Sequence, residues 1–133
     1  GVKKIVSLMN GVDTSTGAAF KYHALGKATG QTESASDTAL GTELTATTEY
    51  STTTRATGNQ FFSTGTTTPD LGYYTLGTNT IGSSGAAVTE HGVFSSATIA
   101  SGTLLDRTVF SVVNLSSGDS LQTTYILTFT SGG

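Results

Sequence analysis

Leu121-Gln122-Thr123-Thr124-Tyr125-Ile126-Leu127-Thr128-Phe129-Thr130 decides the fold of this chain. Leu121, Tyr125, Leu127 and Phe129 fall on one side of an extended backbone, and Gln122, Thr124, Thr128 and Thr130 on the other. Ile126 alone breaks the pattern. Successive strand side chains point to opposite faces, so this segment reads as a strand with one buried and one wetted side. It contains no charged residue, and nothing in it offers chemistry.

Two more strands precede it. Residues 87–94 place Val88, Glu90, Gly92 and Phe94 on one face. Residues 102–113 form a stretch long enough to bend or bulge. Ser117-Gly118-Asp119 supplies the turn into the last strand, and Gly82-Ser83-Ser84-Gly85 an earlier one. Upstream, residues 72–79 centre a strand on Tyr73, Tyr74 and Leu76, and Gln60-Phe61-Phe62-Ser63 reads as a short one. A weak strand is expected around Arg55-Ala56-Thr57. Residues 17–25 read as the first strand, with Phe20, Tyr22 and Ala24 opposed to Lys21 and His23. Pro69-Asp70 signals a turn. Ser36 or Asp37 is placed to cap one helical turn through Thr38-Ala39-Leu40.

Short strands spaced by Gly-rich turns predict an all-β domain, a β-sandwich or jelly roll, over residues 13–133. Residues 1–12 differ. Val2, Ile5, Val6 and Met9 recur at helical spacing and stop at Asn10-Gly11, which predicts a short N-terminal helix or arm.

Composition agrees with a β domain. About a third of the 133 residues are Ser or Thr. Thr is β-branched and suits the half-wet face of a sheet. Charged residues make up 11%, well below the usual quarter or so, and the net charge is −3. Six scattered Lys and Arg cannot build the basic footprint that nucleic acid or an anionic membrane requires. No apolar run has the length of a membrane span, and residues 2–9 are too short for a secretory signal. Zero Cys excludes disulfides, zinc–thiolate sites and thiol catalysis. So few charges defend a free monomer poorly against association.

No constellation predicts catalysis. His23 and His91 are the only imidazoles, and Glu90 and His91 point to opposite faces of their strand, so no metal set is expected. Ser and Thr are too abundant to mark a nucleophile, and no Gly-x-Ser-x-Gly elbow occurs. Acids drawn from Glu33, Asp37, Glu43, Glu49, Asp70, Glu90, Asp106 and Asp119 are scattered rather than paired. Gly26-Lys27-Ala28-Thr29-Gly30 lacks the phosphate-loop spacing. Asp106 and Arg107 face apart on a strand and need partners elsewhere. Arg55 is expected to pair with Glu43, Glu49 or Glu90, because a buried charge in so neutral a chain must be compensated. Asn114-Leu115-Ser116 matches the glycosylation sequon, a common accident in a Ser-rich chain. Tyr50, Tyr73, Tyr74 and Phe61-Phe62 are the candidates for an aromatic sugar platform, against their ordinary use in a core.

Four stretches read together carry a resemblance. They are Tyr22-His23-Ala24-Leu25-Gly26, Asp37-Thr38-Ala39-Leu40-Gly41-Thr42-Glu43-Leu44, Thr89-Glu90-His91-Gly92-Val93-Phe94 with Gly102-Thr103-Leu104-Leu105-Asp106-Arg107, and residues 112–125. Together they resemble a family of small β-rich virion structural proteins of tailed bacteriophages and prophages. The likeness runs from about Tyr22 to the end, with residues 45–84 unmatched. It implies no catalytic, cofactor-binding or metal-binding residues. It implies a capsid decoration (cement) protein, made in the bacterial host cytoplasm and resident on the virion. Its partners would be the major capsid protein and further copies of itself, as a homotrimer. Residues 1–11 would serve as a docking arm. A tail or fibre module that binds host glycan or receptor is the alternative.

Overall fold

A computed structural model describes residues 20–64 and 71–129. The expected helix or arm over residues 1–12, the Pro69-Asp70 turn and the 13–133 domain limits fall wholly or partly outside these residues. The described chain is all-β, as expected. Its strands are β1 (Tyr22–Gly26), β2 (Ala56–Thr57), β3 (Asn59–Thr64), β4 (Leu71–Thr80), β5 (Ala86–Phe94), β6 (Leu104–Leu115) and β7 (Ser120–Phe129). They form two antiparallel sheets, β2-β1-β5-β6 and β3-β4-β7, packed face to face.

Gly58 lies between β2 and β3, where the chain passes from one sheet to the other. On the opposite side, the Ser117-Gly118 turn carries β6 of the first sheet into β7 of the second. β7 alternates as its sequence demands. Leu121, Thr123, Tyr125 and Leu127 are half-buried, while Gln122, Thr124, Ile126 and Thr128 are exposed. β6 opposes β5 with extra residues at two places, between Val88 and Glu90 and between Val93 and Phe94. The first shift breaks the face expected for β5. Val88 packs with Leu25, Leu44, Tyr50 and Ile81, while Phe94 joins Ala24 and Leu40 in a second apolar cluster.

The first strand begins at Tyr22, later than its sequence suggests, with Phe20 and Lys21 outside it. Residues 27–55, between β1 and β2, cross one face of the first sheet as irregular chain. The helical turn expected at residues 38–40 does not form. Asp37 does not cap it. Its carboxylate takes the amide of Ser34 at 2.8 Å and the Arg107 guanidinium at 2.9 Å, which holds the chain in a turn rather than a helix.

Candidate functional site

Three features compete for function: a charged network under residues 27–55, a histidine pair between the sheets, and the outer face of β3-β4-β7. The first is a clamp. Glu90 is fully buried on β5, and its carboxylate accepts the amides of Gly41 (2.7 Å), Ala28 (3.1 Å) and Thr42 (3.2 Å). Arg107 reaches across from β6, donating Nε and Nη2 to Glu90 Oε1 at 2.9 and 2.6 Å, Nη1 to Asp37 and Nη2 to Gln31. Burial pushes the Glu90 carboxyl up, but the Gly41 amide, Arg107 and the other amides outweigh it and hold the group below its ordinary value. Every oxygen is occupied, so the network fastens the loop to the sheet and leaves nothing to react.

A second ion pair does the same further along. Arg55 is buried, donates Nε and Nη2 to the two oxygens of Glu43 at 2.6 and 2.8 Å, and gives Nη1 to the carbonyls of Ser96 and Ser101. Its guanidinium carbon lies 3.7 Å from the Phe94 ring centre. Of the three acids expected for Arg55, Glu43 is the partner. Glu49 pairs with Lys27 and Glu90 with Arg107. Asp106 and Arg107 do face apart, and Asp106 accepts the Tyr125 hydroxyl at 3.1 Å. Arg55 and Phe94 line a cavity of about 210 Å³. A shallower groove of about 610 Å³ runs past Lys27, Glu49, Ser84 and Asn114, the exposed sequon residue. Neither brings a nucleophile to a base.

The second feature is one the residue spacing conceals. His23 of β1 and His91 of β5, 68 residues apart, meet with Nδ1 of His23 2.9 Å from Nε2 of His91. Thr75 of β4 lies 3.0 Å from His23 Nε2, and Thr123 of β7 lies 3.0 Å from Nδ1. Polar contacts therefore join the two sheets at the centre of the sandwich. The ring fits because two facing positions lack side chains. A Cβ at Gly77 would stand 2.4 Å from His23 Cδ2, and one at Gly58 2.6 Å from Nε2. Burial lowers the pKa of His23 to about 4. Burial, with the adjacent His23, lowers that of His91 to about 3. Among the described residues no group of three His, Cys, Asp or Glu could hold a metal ion.

The third feature is a surface. No residue of β3, β4 or β7 is charged. On the outer face Phe61, Tyr74 and Ile126 are direct cross-strand neighbours, so they form a row across all three strands. Phe61 is 47% and Ile126 55% exposed, and the Phe61 and Tyr74 rings stack with centres 5.7 Å apart. The expected aromatic platform is thus divided. Tyr50 and Tyr73 are fully buried. The Tyr50 hydroxyl bridges the amide and carbonyl of Leu25, and that of Tyr73 donates to the Phe20 carbonyl. Only Phe61 and Tyr74 face outward as a pair. The Phe62 side chain is outside the described set.

Comparison of the chain with protein-family models, with curated proteins and with solved structures finds no match.

Proposed function

We propose that the chain is a non-enzymatic capsid decoration protein, which binds the outer surface of a tailed-phage head and stabilises the shell. The observation that carries this reading is the uncharged β3-β4-β7 sheet with its outer row Phe61–Tyr74–Ile126, of which Phe61 and Ile126 are exposed and Tyr74 is half-buried. A neutral, flat, partly apolar face suits docking on a protein lattice through many weak contacts. Burying one large apolar side chain gains about 1.5–3 kcal/mol, and a shell repeats the contact at every site. The resemblance to phage virion proteins supports a particle-borne role; on this reading the protein is made in the host cytoplasm and sits on the capsid.

Self-association belongs to the same proposal. β7 is an edge strand of its sheet and carries no charge and no Pro, the usual protections of an edge. A second copy, in a homotrimer, would cover it. The major capsid protein is then the second partner, and neither nucleic acid nor membrane is involved.

The test uses heads stripped of this protein. Purified chain is expected to rebind them and to restore their resistance to heat, and Ile126→Asp is expected to abolish rebinding. Failure of the folded wild-type chain to bind any form of the head contradicts the proposal. The stacked, outward-facing Phe61–Tyr74 pair favours one alternative, a tail or fibre module that holds host glycan on an aromatic surface. Glycan binding lost in Tyr74→Ala would select it. Tyr73→Ala would not discriminate, because Tyr73 lies in the core.

A further inference from the structure

Thr75, His23 and His91 stand in the order nucleophile, base and orienting group. Thr75 Oγ1 is 3.0 Å from His23 Nε2, and His23 Nδ1 is 2.9 Å from His91 Nε2. That is the geometry by which a hydroxyl is activated for acyl transfer. Here the line is sealed. Thr75 and His23 have no exposed surface and His91 has 8%. No outside substrate reaches it, so any acyl group it attacks must belong to the same chain.

Gln60 supplies one. It is the direct cross-strand partner of Thr75 in the β3–β4 pair, on the same face. Its Nε2 donates at 3.1 Å to the hydroxyl of Tyr73, which stands two positions from Thr75 on the same face of β4. Opposed Cβ atoms in an antiparallel pair are about 4.5–5.5 Å apart. An ester from Thr Oγ1 to Gln Cδ spans four bonds between those atoms, a reach of roughly 5 Å.

We propose that this centre modifies its own chain, joining Thr75 Oγ1 to Gln60 Cδ as an ester that ties β3 to β4. The atoms balance without a co-reactant. Thr75 Oγ1 bonds to the Gln60 carbonyl carbon while its proton passes to His23 Nε2. The Cδ–Nε2 bond then breaks, His23 returns the proton to the departing nitrogen, and one ammonia leaves. His23 must present an unprotonated Nε2, which it does when Nδ1–H donates to His91. Its depressed pKa keeps it neutral at pH 7 and makes it a weak base. Fixed proximity, equivalent to very high effective concentration, compensates in a reaction that occurs once per molecule.

The experiment is an intact mass of the folded full chain. The expected value is the sequence mass less one ammonia, and fragmentation is expected to show a branched peptide joining residues 60 and 75. Thr75→Val and Gln60→Ala are expected at their full sequence masses, Gln60→Glu at one water less, and hydroxylamine should open the wild-type link to a hydroxamate at residue 60. A folded wild-type chain at its full mass overturns the proposal, and so does a deficit that survives in Thr75→Val. The branched peptide is read in the wild type, so the test stands even if a variant fails to fold.

Discussion

Arg107 shows how single residues specify this molecule. Its charge is buried against Glu90 and Asp37, and removing one partner of such a pair leaves the other uncompensated. Arg107→Ala is expected to cost about 3–5 kcal/mol in urea unfolding at neutral pH. A loss under about 1 kcal/mol would mean that the network is solvated. The histidines set the acid response. Their folded pKa values, about 4 for His23 and about 3 for His91, lie below the unfolded value of 6.5. The unfolded chain therefore binds more protons in this range, and stability rises with pH. The contribution is complete above about pH 6.5 and is lost as pH falls toward the folded values. For His23 it is on the order of 3 kcal/mol. The depressed carboxyls of Glu90, Asp37 and Glu49 act only below their own unfolded values of 4.5, 3.8 and 4.5, so the slope above about pH 5 belongs to the imidazoles. Urea midpoints across pH 5–7 should fall toward acid in the wild type and fall about half as steeply in His91→Phe, because His23 keeps its own burial. An unchanged slope in that variant would refute the assignment. On the sequence alone, the need of Arg55 for an acid was legible, because few charges leave few partners. The histidine pair was not, since it depends on which β1 residue faces which β5 residue.

At the scale of elements, β7 was readable almost residue by residue, because period-2 alternation maps directly onto one dry and one wet face. Ile126, the one exception to its pattern, turned out to be the most exposed part of the outer row. The turn at residues 38–40 was misread because the capping acid was claimed by an arginine 70 positions away. The division of Tyr73 from Tyr74 follows from alternation as well, but the sign of the face is set by His23 packing on Gly77 from the other sheet. That contact makes a prediction. Gly77→Ala forces a methyl into the His23 ring and is expected to cost about 1–3 kcal/mol, read as a lowered thermal midpoint. A neutral outcome would show that the sheets can separate there. Ile126→Asp, by contrast, changes an exposed position and should leave stability within about 0.5 kcal/mol while removing particle binding. Loss of both would place Ile126 in the fold rather than on the docking face.

At the scale of the whole molecule, the described strands separate charge from neutral surface. Glu90, Asp106 and Arg107 are the charged strand residues, all in the β2-β1-β5-β6 sheet, while β3-β4-β7 carries none. One sheet is held down by buried ion pairs under residues 27–55, and the other is left to present Phe61, Tyr74 and Ile126. Docking through such a face has a signature that charged docking lacks. It buries apolar area and is nearly indifferent to salt screening. The most direct measurement is co-sedimentation of the purified chain with stripped heads, quantified per particle at low and high salt. Saturable binding of many copies, unchanged by salt and lost in Ile126→Asp, is the predicted result. Binding of only a handful of copies, or none by the folded chain, or binding that salt abolishes, would contradict the account.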